Sequence, residues 1–322
     1  MSTNLFLKTK YGKILKEQLK EIKIKNAPAT NLPNYLPDLY IEEIDEKASY
    51  LKCFSEGQFF VIDSDFLLKN TKKIYSNFKF VKAKGAKPIN LPKKLNPKLA
   101  YFVGYFLGDG GLKDIKKTYL KTRRFEHKII VGDEFLEQIK KIKKLFYELF
   151  GAVFPIRTER IQKGEQLYYL NPTNKVIYRF LTEVFGVPSG KKYETLKVPI
   201  LIENSFPEIK KWFIRGVFDA DGDTRAVERG LNSQPRIKLR MKSHNFIKSM
   251  KEILQEVFNI SVNGPYFDLG KQSSYIQIER HKDIEKLNNE ILFIHPVKQW
   301  RLNKMVSLMT TNKFKTLAHP IY

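Results

Sequence analysis

The sequence is poor in cysteine and in acidic residues, and it has no long apolar run. Its single cysteine, Cys53, excludes an internal disulfide and a cysteine-based zinc site. No apolar stretch approaches the roughly 20 residues that a helix needs to cross a bilayer, and the first residues lack the pattern of a signal peptide. We therefore expect an intracellular protein of the cytoplasm, the nucleoid or an organelle, without a membrane partner.

The shortage of acid leaves a strongly basic chain. Its 58 lysines and arginines outnumber 34 aspartates and glutamates, which gives a formal charge of +24 and a pI near 9.7. This balance favours a polyanionic partner, nucleic acid before a membrane surface, although lysine-rich soluble proteins share it. With 322 residues, of which 42% are hydrophobic, the chain can bury one large core or about two to three domains.

One pattern occurs twice, an apolar helix that runs directly into an aspartate and a glycine. The copies are residues 101–111 (YFVGYFLGDGG) and 212–225 (WFIRGVFDADGDTR), in which Asp109 and Asp221 hold equivalent places. A carboxylate is disfavoured at the C-terminal end of a helix, where unpaired carbonyls already carry partial negative charge. A positive group is therefore expected near each aspartate.

Each of the two helices has its own start and stop signals. Asn96 followed by proline predicts the start of the first, and Ser205 with Glu208 predicts a capping box for the second. Gly110 and Gly222 are natural terminators.

The same series of elements follows each helix, which predicts two tandem α+β units. A strand leads to an amphipathic helix, then to a pair of strands and a closing helix. In the first half we expect these at 124–131, 133–150, 153–161, 166–170 and 175–185. In the second half we expect them at 236–242, 244–258, 262–267, 275–279 and 281–292.

Composition shifts divide the chain into three parts. Residues 1–92 form an extra N-terminal domain of unknown role, with a helical pattern around 11–22 and a strand at 58–62. Residues 93–190 form the first unit, and residues 191–322 form the second unit with a C-terminal tail.

Small residues line one side of each repeated helix and predict that the two helices pack closely. The stripes are Gly104 with Gly108, and Gly216 with Ala220. If the stripes meet, Asp109 and Asp221 lie side by side and repel each other unless divalent cations lie between or beside them.

The paired acids predict a metal site. Carboxylates and helix-end carbonyls, here those of Gly108 and Ala220, are hard ligands suited to Mg²⁺, with Mn²⁺ as an equivalent and Ca²⁺ as a non-cleaving substitute. Such a pair suits phosphodiester hydrolysis by metal-activated water. A single aspartate after a helix is usually a solvated turn, but its recurrence in register favours a site. The five histidines show no metal-ligand spacing, and His295 before proline is typical of a turn.

Basic residues predict the surface that binds nucleic acid. Arg236, Lys238, Arg240 and Lys242 alternate with apolar residues, so one face of that strand is cationic. Such a face is often merely solvated, but the duplication and the net charge favour base reading in a major groove. Further candidates lie in the first half and after the second motif. They are Arg157, Arg160, Lys163 and Arg225.

The segments FVGYFLGDG (102–110) and IRGVFDADG (214–222) resemble the motifs of the LAGLIDADG homing endonucleases. The segments GVPSGKK (186–192), ahead of the second motif, and IHPVK (294–298), near the end of the chain, are similar to sequences that are common at these positions in this family. The resemblance extends from about residue 95 to 305.

This resemblance implies a monomeric, pseudo-symmetric enzyme of two αββαββα units. It implies saddle-shaped antiparallel sheets in the DNA major groove, two central packed helices, and Asp109 and Asp221 as metal-binding acids. The implied activity is intron or mobile-element homing by cleavage of both strands of a long duplex site. It also implies a basic catalytic partner in each half, for which Lys242 fits in the second half. In the first half the partner is absent or comes from elsewhere, with Lys128 as a weak candidate. Asp219 has no acidic counterpart and is interpreted as a structural or accessory acid.

Two other functions fit the same resemblance. One is an RNA-splicing maturase acting on intron RNA, and the other is a DNA-binding regulator that has lost catalysis. An intein is less favoured, because the chain starts Met1-Ser2 and lacks a His-Asn terminus.

Overall fold

The computed structural model describes residues 39–45, 50–55, 58–63, 81–82, 89, 92, 95–119, 122–160, 165–192, 195–224 and 235–310. Near the N-terminus, four strands form one sheet in the order β3-β2-β1-β4, with β1 antiparallel to β2 and parallel to β4. The predicted strand at 58–62 is confirmed, whereas the predicted helix around 11–22 lies outside the described residues. The strands are β1 (Leu39–Asp45), β2 (Tyr50–Ser55), β3 (Gln58–Asp63) and β4 (Val81–Lys82).

Two repeats of helices and antiparallel strands follow. The first contains α1 (Pro97–Asp109), β5 (Gly110–Tyr119), β6 (Thr122–Asp133), α2 (Leu136–Phe150), β7 (Arg157–Arg160), β8 (Gln166–Leu170) and α3 (Lys175–Phe185). A short helix α4 (Ile200–Glu203) precedes the second, which contains α5 (Pro207–Asp221), β9 (Gly222–Asp223), β10 (Ile237–Met241), α6 (His244–Glu256), β11 (Asn263–Asp268), β12 (Ser273–Ile278) and α7 (His281–Lys286). A π-helical turn, Leu287–Ile291, and a last helix α8 (Pro296–Thr310) complete it.

The two repeats have the same sheet topology. The first sheet has the order β5-β6-β8-β7 and the second the order β9-β10-β12-β11, with all neighbours antiparallel. The predicted α+β fold of two αββαββα units is therefore confirmed. The pairing also aligns the repeats, because Gly110 pairs with Val131 and Gly222 pairs with Leu239. Val131 of β6 thus corresponds to Leu239 of β10.

Helices α1 and α5 pack against each other at the centre through their small residues, as predicted. A Cβ added at Gly104 would overlap the carbonyl oxygen of Phe213, and one at Gly216 would overlap that of Tyr101. At Gly108 it would overlap the Cβ of Ala220. Only glycine allows the two backbones to approach so closely. The contact brings the C-terminal ends of the helices together.

Aromatic packing fixes each central helix to the rest of its own unit. The ring of Phe102 meets Phe146 and Phe150 of α2 edge-on, with centroids 4.9 and 5.7 Å apart. In the second unit Phe213 lies 6.3 Å from Phe246 of α6. These rings are fully buried, so the core of each unit orients its helix toward the partner helix.

Several predicted boundaries need correction. The Asn96 cap is confirmed, because its Oδ1 accepts from Leu99 N at 2.9 Å. The capping box is wrong, because Ser205 Oγ instead donates to Ile202 O and Glu208 accepts from Trp212 Nε1.

Other differences follow from tertiary pairing. The helix expected at 133–150 begins at Leu136, because β6 continues to Asp133 along β8. The expected strand at 153–161 is shortened to β7, and the helix expected at 281–292 ends in the π-helical turn. The predicted C-terminal tail contains α8. In the part of the chain that the structure describes, no helix has the length and apolar character needed to span a bilayer.

Candidate active site

The central feature is a cavity of about 510 Å³ where α1 and α5 end. Asp109 and Asp221, the last residues of the two helices, both line it. Each helix stops because the following glycine has extended backbone geometry and continues into a strand. The two carboxylates therefore belong to one site, as the sequence predicted.

The two helix ends are each capped by a lysine from a distant segment. Lys192 Nζ donates to the carbonyl oxygens of Leu107 and Gly108 at 2.8 Å. Lys298 Nζ donates to the carbonyl oxygens of Phe218 and Ala220. These ammoniums are the expected positive groups, and they neutralise the negative ends of both helix dipoles.

The electrostatics of the acids reflect burial and mutual repulsion. Burial, and then the charge of Asp221, raises the pKa of Asp109 to about 7, while Lys298 and Lys192 offset part of the rise. Burial also raises the pKa of Asp221, again partly offset by the two lysines. Burial lowers the pKa of Lys192 to about 8 and also lowers that of Lys298. The cluster thus holds two acids that are costly to ionise together, beside two cations.

A third carboxylate, Asp133 at the end of β6, lines the same cavity. Its Oδ2 accepts from Tyr105 OH at 2.6 Å and lies 3.6 Å from Nε2 of buried His295, and its Oδ1 accepts from Phe135 N. Burial would raise the pKa of Asp133, but the neighbouring His295 side chain and the hydrogen bonds from Tyr105 and Phe135 together lower it. Asp133 therefore remains ionised and adds negative charge beside Asp109.

Asp219 joins helix α5 to the segment that carries Lys298. Its side chain is fully buried, and Oδ2 accepts from Tyr101 OH at 2.8 Å and from the backbone amides of Ile294 and His295 at 3.0 and 3.1 Å. Burial raises the pKa of Asp219 to about 6, although these hydrogen bonds lower it in part. These contacts are those of a structural acid, one of the two roles considered for Asp219.

Not all predicted residues reach the cavity. Arg236, Lys238 and Arg240 line it, and their alternation with buried apolar residues is as expected. Arg157 and Arg160 lie exposed on β7, while Lys163 and Arg225 lie outside the described residues. Lys128 is half-buried on β6, and neither it nor Lys242, whose side chain is exposed, lines the cavity.

The geometry gives two of the expected ligands a second partner. The carbonyls of Gly108 and Ala220, predicted as metal ligands, accept hydrogen bonds from the two lysines. The two lysines themselves were missed as site residues, and so were Asp133 and His295. A signal for the lysines existed, because each ends one of the proline-containing segments, 186–192 and 294–298, in corresponding parts of the two repeats. His295, expected in a turn, lies in a bend directly before α8 and is also buried.

The chain spans less than a fifth of the length of the curated relatives that it matches. An A-type ATP synthase polypeptide of Pyrococcus abyssi is 34% identical over 142 residues, which are 44% of this chain and 12% of that protein. The probable translation initiation factor IF-2 of Methanocaldococcus jannaschii is 26% identical over 228 residues, 68% of this chain and 17% of that protein. The two names share no activity.

Similar solved structures are LAGLIDADG-type endonucleases. The complex of I-DmoI with DNA and Mn is 19% identical and covers 62% of this chain and 97% of that chain, with a TM-score of 0.46. The LAGLIDADG homing endonuclease I-LtrWI bound to target DNA is 12% identical and covers 68% and 92%, with a TM-score of 0.46.

The family comparison bears on the second unit. Residues 208–291 match the family described as LAGLIDADG-like domain. This range starts in α5, includes Asp221 and extends through the second sheet to the π-helical turn. The resemblance drawn from the motifs is therefore confirmed in the second unit, where residues 208–291 are similar to the LAGLIDADG-like domain.

Proposed function

We propose that this chain is a site-specific DNA endonuclease that uses divalent metal ions to cut both strands of a long duplex site, as in intron or mobile-element homing. One observation carries the proposal. Asp109 and Asp221 end two packed helices in a single cavity, beside the ammoniums of Lys192 and Lys298. Because one chain supplies both acids, we propose that it acts as a monomer.

The donor set fits a hard divalent cation. The raised pKa values of Asp109 and Asp221 reflect burial and repulsion that the lysines only partly offset, and a divalent cation would relieve this cost. No group of three or more His, Cys, Asp or Glu side chains suited to a metal occurs within the described ranges. Mg²⁺ typically takes one or two carboxylates and completes its coordination with water and substrate phosphate. The ligands we propose are therefore the two carboxylates, with Mn²⁺ as an alternative ion.

The reaction we propose is phosphodiester hydrolysis. A bound divalent cation supplies Lewis acidity and an activated water. The carboxylates of Asp109 and Asp221 would hold this cation. Lys298 lines the cavity, so its ammonium can stabilise the negative charge that develops on the phosphate oxygens. Lys192 occupies the matching place at the end of α1, and its pKa of about 8 leaves most of it protonated at neutral pH.

Duplex DNA is the substrate that the charge distribution favours. The cavity wall from the second unit contains five cationic residues outside the lysine caps, and the whole chain has a formal charge of +24. Such a surface attracts the phosphate backbone and can present arginine to guanine edges. These residues are Arg236, Lys238, Arg240, Lys271 and Arg301.

The test is cleavage and binding by wild type and by Asp221→Asn. We expect wild type to cut a small subset of a randomised duplex library with Mg²⁺ and none with EDTA. Asp221→Asn should bind the same DNA in Ca²⁺ within a few-fold and cut at least a thousandfold more slowly, since it loses a metal ligand. Thermal shifts give a second readout, because Ca²⁺ should raise the melting temperature of wild type more than that of Asp221→Asn. Normal cutting by the variant would defeat the proposal, and specific binding without any cutting would favour the regulator instead.

A further inference from the structure

The outward face of the second sheet holds one arginine in a fixed orientation. Arg240 lies on β10, between β9 and β12, with its side chain 25% exposed. Its Nη1 donates to Asp268 Oδ2, and to Ser273 Oγ at 3.2 Å. The guanidinium carbon lies 4.9 Å from the ring centroid of Tyr275. Two hydrogen bonds and an aromatic ring thus restrict this side chain. An exposed arginine ordinarily lacks such contacts and samples many rotamers.

The groups that hold Arg240 are themselves fixed. Asp268 Oδ1 accepts from Lys271 N at 3.1 Å within the β11–β12 turn. The hydrogen bond from Arg240 lowers the pKa of Asp268, so this side chain stays a carboxylate. Tyr275 packs on Tyr266, with ring centroids 5.3 Å apart, and also meets the ammonium of Lys238 at 4.2 Å. The hairpin therefore acts as a rigid support for the arginine.

The hydrogen bonds described for Arg240 use Nη1 alone. A guanidinium carries five N–H donors in a planar fork, so Nε and Nη2 remain as donors on its other edges. Arg240 lines the cavity that contains the two aspartates. A base pair lying against this sheet near the cut would meet a planar donor whose direction the protein has already set. A planar fork matches the O6 and N7 acceptors of guanine.

The arginine and its support belong to the second unit. Because Val131 corresponds to Leu239, the residue equivalent to Arg240 in the first sheet is Gly132, and the residue equivalent to Lys238 is Ile130. An arginine held at this position can therefore contact bases in only one half of a target site.

We propose that Asp268 is a positioning residue that orients Arg240 to read a guanine in the half of the DNA site bound by the second unit. This inference rests on the proposed function, since it takes duplex DNA as the ligand. As a consequence, Asp268 increases the preference for guanine, while its negative charge lowers the affinity of this surface for duplex DNA of any sequence.

The test compares four proteins on one randomised duplex pool with Ca²⁺ present, namely wild type, Asp268→Asn, Arg240→Lys and the control Glu279→Gln. Glu279 continues the outward face of β12 and bonds Asn263 and Gln277, without contacting Arg240. Its replacement removes the same unit of negative charge from the same surface. Base preference at every position and affinity for random duplex are both measured.

We expect wild type to prefer guanine at one position of one half-site by roughly tenfold over other bases. Asp268→Asn should lose most of that preference, while its affinity for random duplex stays equal or rises because a negative charge has been removed. Arg240→Lys should lose the preference at the same position, since an ammonium keeps the charge but not the fork. Glu279→Gln should keep it.

Three outcomes would overturn the inference while leaving the proposed function intact. They are an unchanged preference in Asp268→Asn, an unchanged preference in Arg240→Lys, and an equal loss in Glu279→Gln. Arg240→Lys keeps the test decisive if Asp268→Asn does not fold. Failure of wild type to bind duplex DNA at all would instead defeat the proposed function.

Discussion

At the scale of single residues, the cavity balances like charges against unlike ones. Asp109 and Asp221 are adjacent and partly buried, and both have a raised pKa. Lys192 and Lys298 offset part of this cost through charge while their ammoniums bond the helix-end carbonyls. A divalent cation held by these carboxylates would relieve the remaining cost.

The identity of the basic partner can be decided by substitution. We expect Lys298→Met to slow cleavage by about a hundredfold to a thousandfold, because it removes a positive charge beside the reacting phosphate. Lys242→Met should cut at nearly the wild-type rate, because the Lys242 side chain is exposed and outside the cavity. Single-turnover rates at saturating enzyme measure both. The reverse order of effects would restore the assignment made from sequence.

The burial of Asp109, together with the charge of Asp221, predicts a pH-dependent stability in metal-free protein. Asp109 has a folded pKa of about 7 against an ordinary value of 3.8, so the folded state holds this proton more tightly than the unfolded state. Its contribution to stability is therefore lost as the pH rises from about 4 to 7. We expect Asp109→Asn to be more stable than wild type by up to about 4 kcal/mol at pH 7.5 and nearly equal at pH 4. Urea unfolding with EDTA measures this difference, and an Asn variant that is less stable at pH 7.5 would contradict it.

At the scale of elements, the pair α1 and α5 acts as a rigid frame for the site. Backbone approaches at Gly104 and Gly216 fix the distance between the helices, and Asp219 ties the end of α5 to the segment before α8. Aromatic contacts orient each helix within its own unit. The site geometry therefore depends on contacts well away from the carboxylates.

This helix packing predicts that replacing two different glycines with alanine has very different effects on stability. Gly216→Ala should destabilise the protein by about 3 kcal/mol, because the new methyl group would overlap the carbonyl oxygen of Tyr101. Gly111→Ala is the matched control, since a Cβ there meets nothing within 4 Å. Thermal and urea unfolding of both variants provide the comparison. Equal stability of the two variants would show that the helices can separate at little cost.

At the scale of the whole molecule, the two units differ in charge around the cavity. The second contributes Arg236, Lys238 and Arg240 from β10 and the residue before it, whereas the aligned positions of β6 are Lys128, Ile130 and Gly132. A duplicated backbone thus carries two different surfaces. We expect the two halves of a target site to be held unequally.

The net charge predicts a steep salt dependence of DNA affinity. Each phosphate neutralised releases counterions, so the affinity should fall by roughly a thousandfold or more between about 50 and 200 mM salt. Fluorescence anisotropy of a labelled duplex in Ca²⁺ measures the slope. Asp221→Asn should give a similar slope, because it leaves the basic surface unchanged. A weak dependence in wild type would contradict contact with many phosphates.

Most of the element series was predictable because it depends on local periodicity, although the pattern did not predict β5 and β9. The motif helices, the closing helix 175–185 and the alternating strand β10 agree with the sequence pattern. The shared aspartate site followed from small residues at helical spacing, since such a stripe lets two helix backbones approach closely. The failed capping box at Ser205 shows the limit, because competing partners in the fold took both side chains.

What the sequence by itself determined was the duplication, the paired aspartates and the need for positive charge at the helix ends. Only the tertiary structure decided which cations meet that need. Lys192 and Lys298 lie 84 and 78 residues from the carbonyls of Gly108 and Ala220, far beyond the range of any helical or strand period. Lys242 lies next to a strand of the right character but outside the cavity, because distance in a folded chain is set by packing and not by sequence separation.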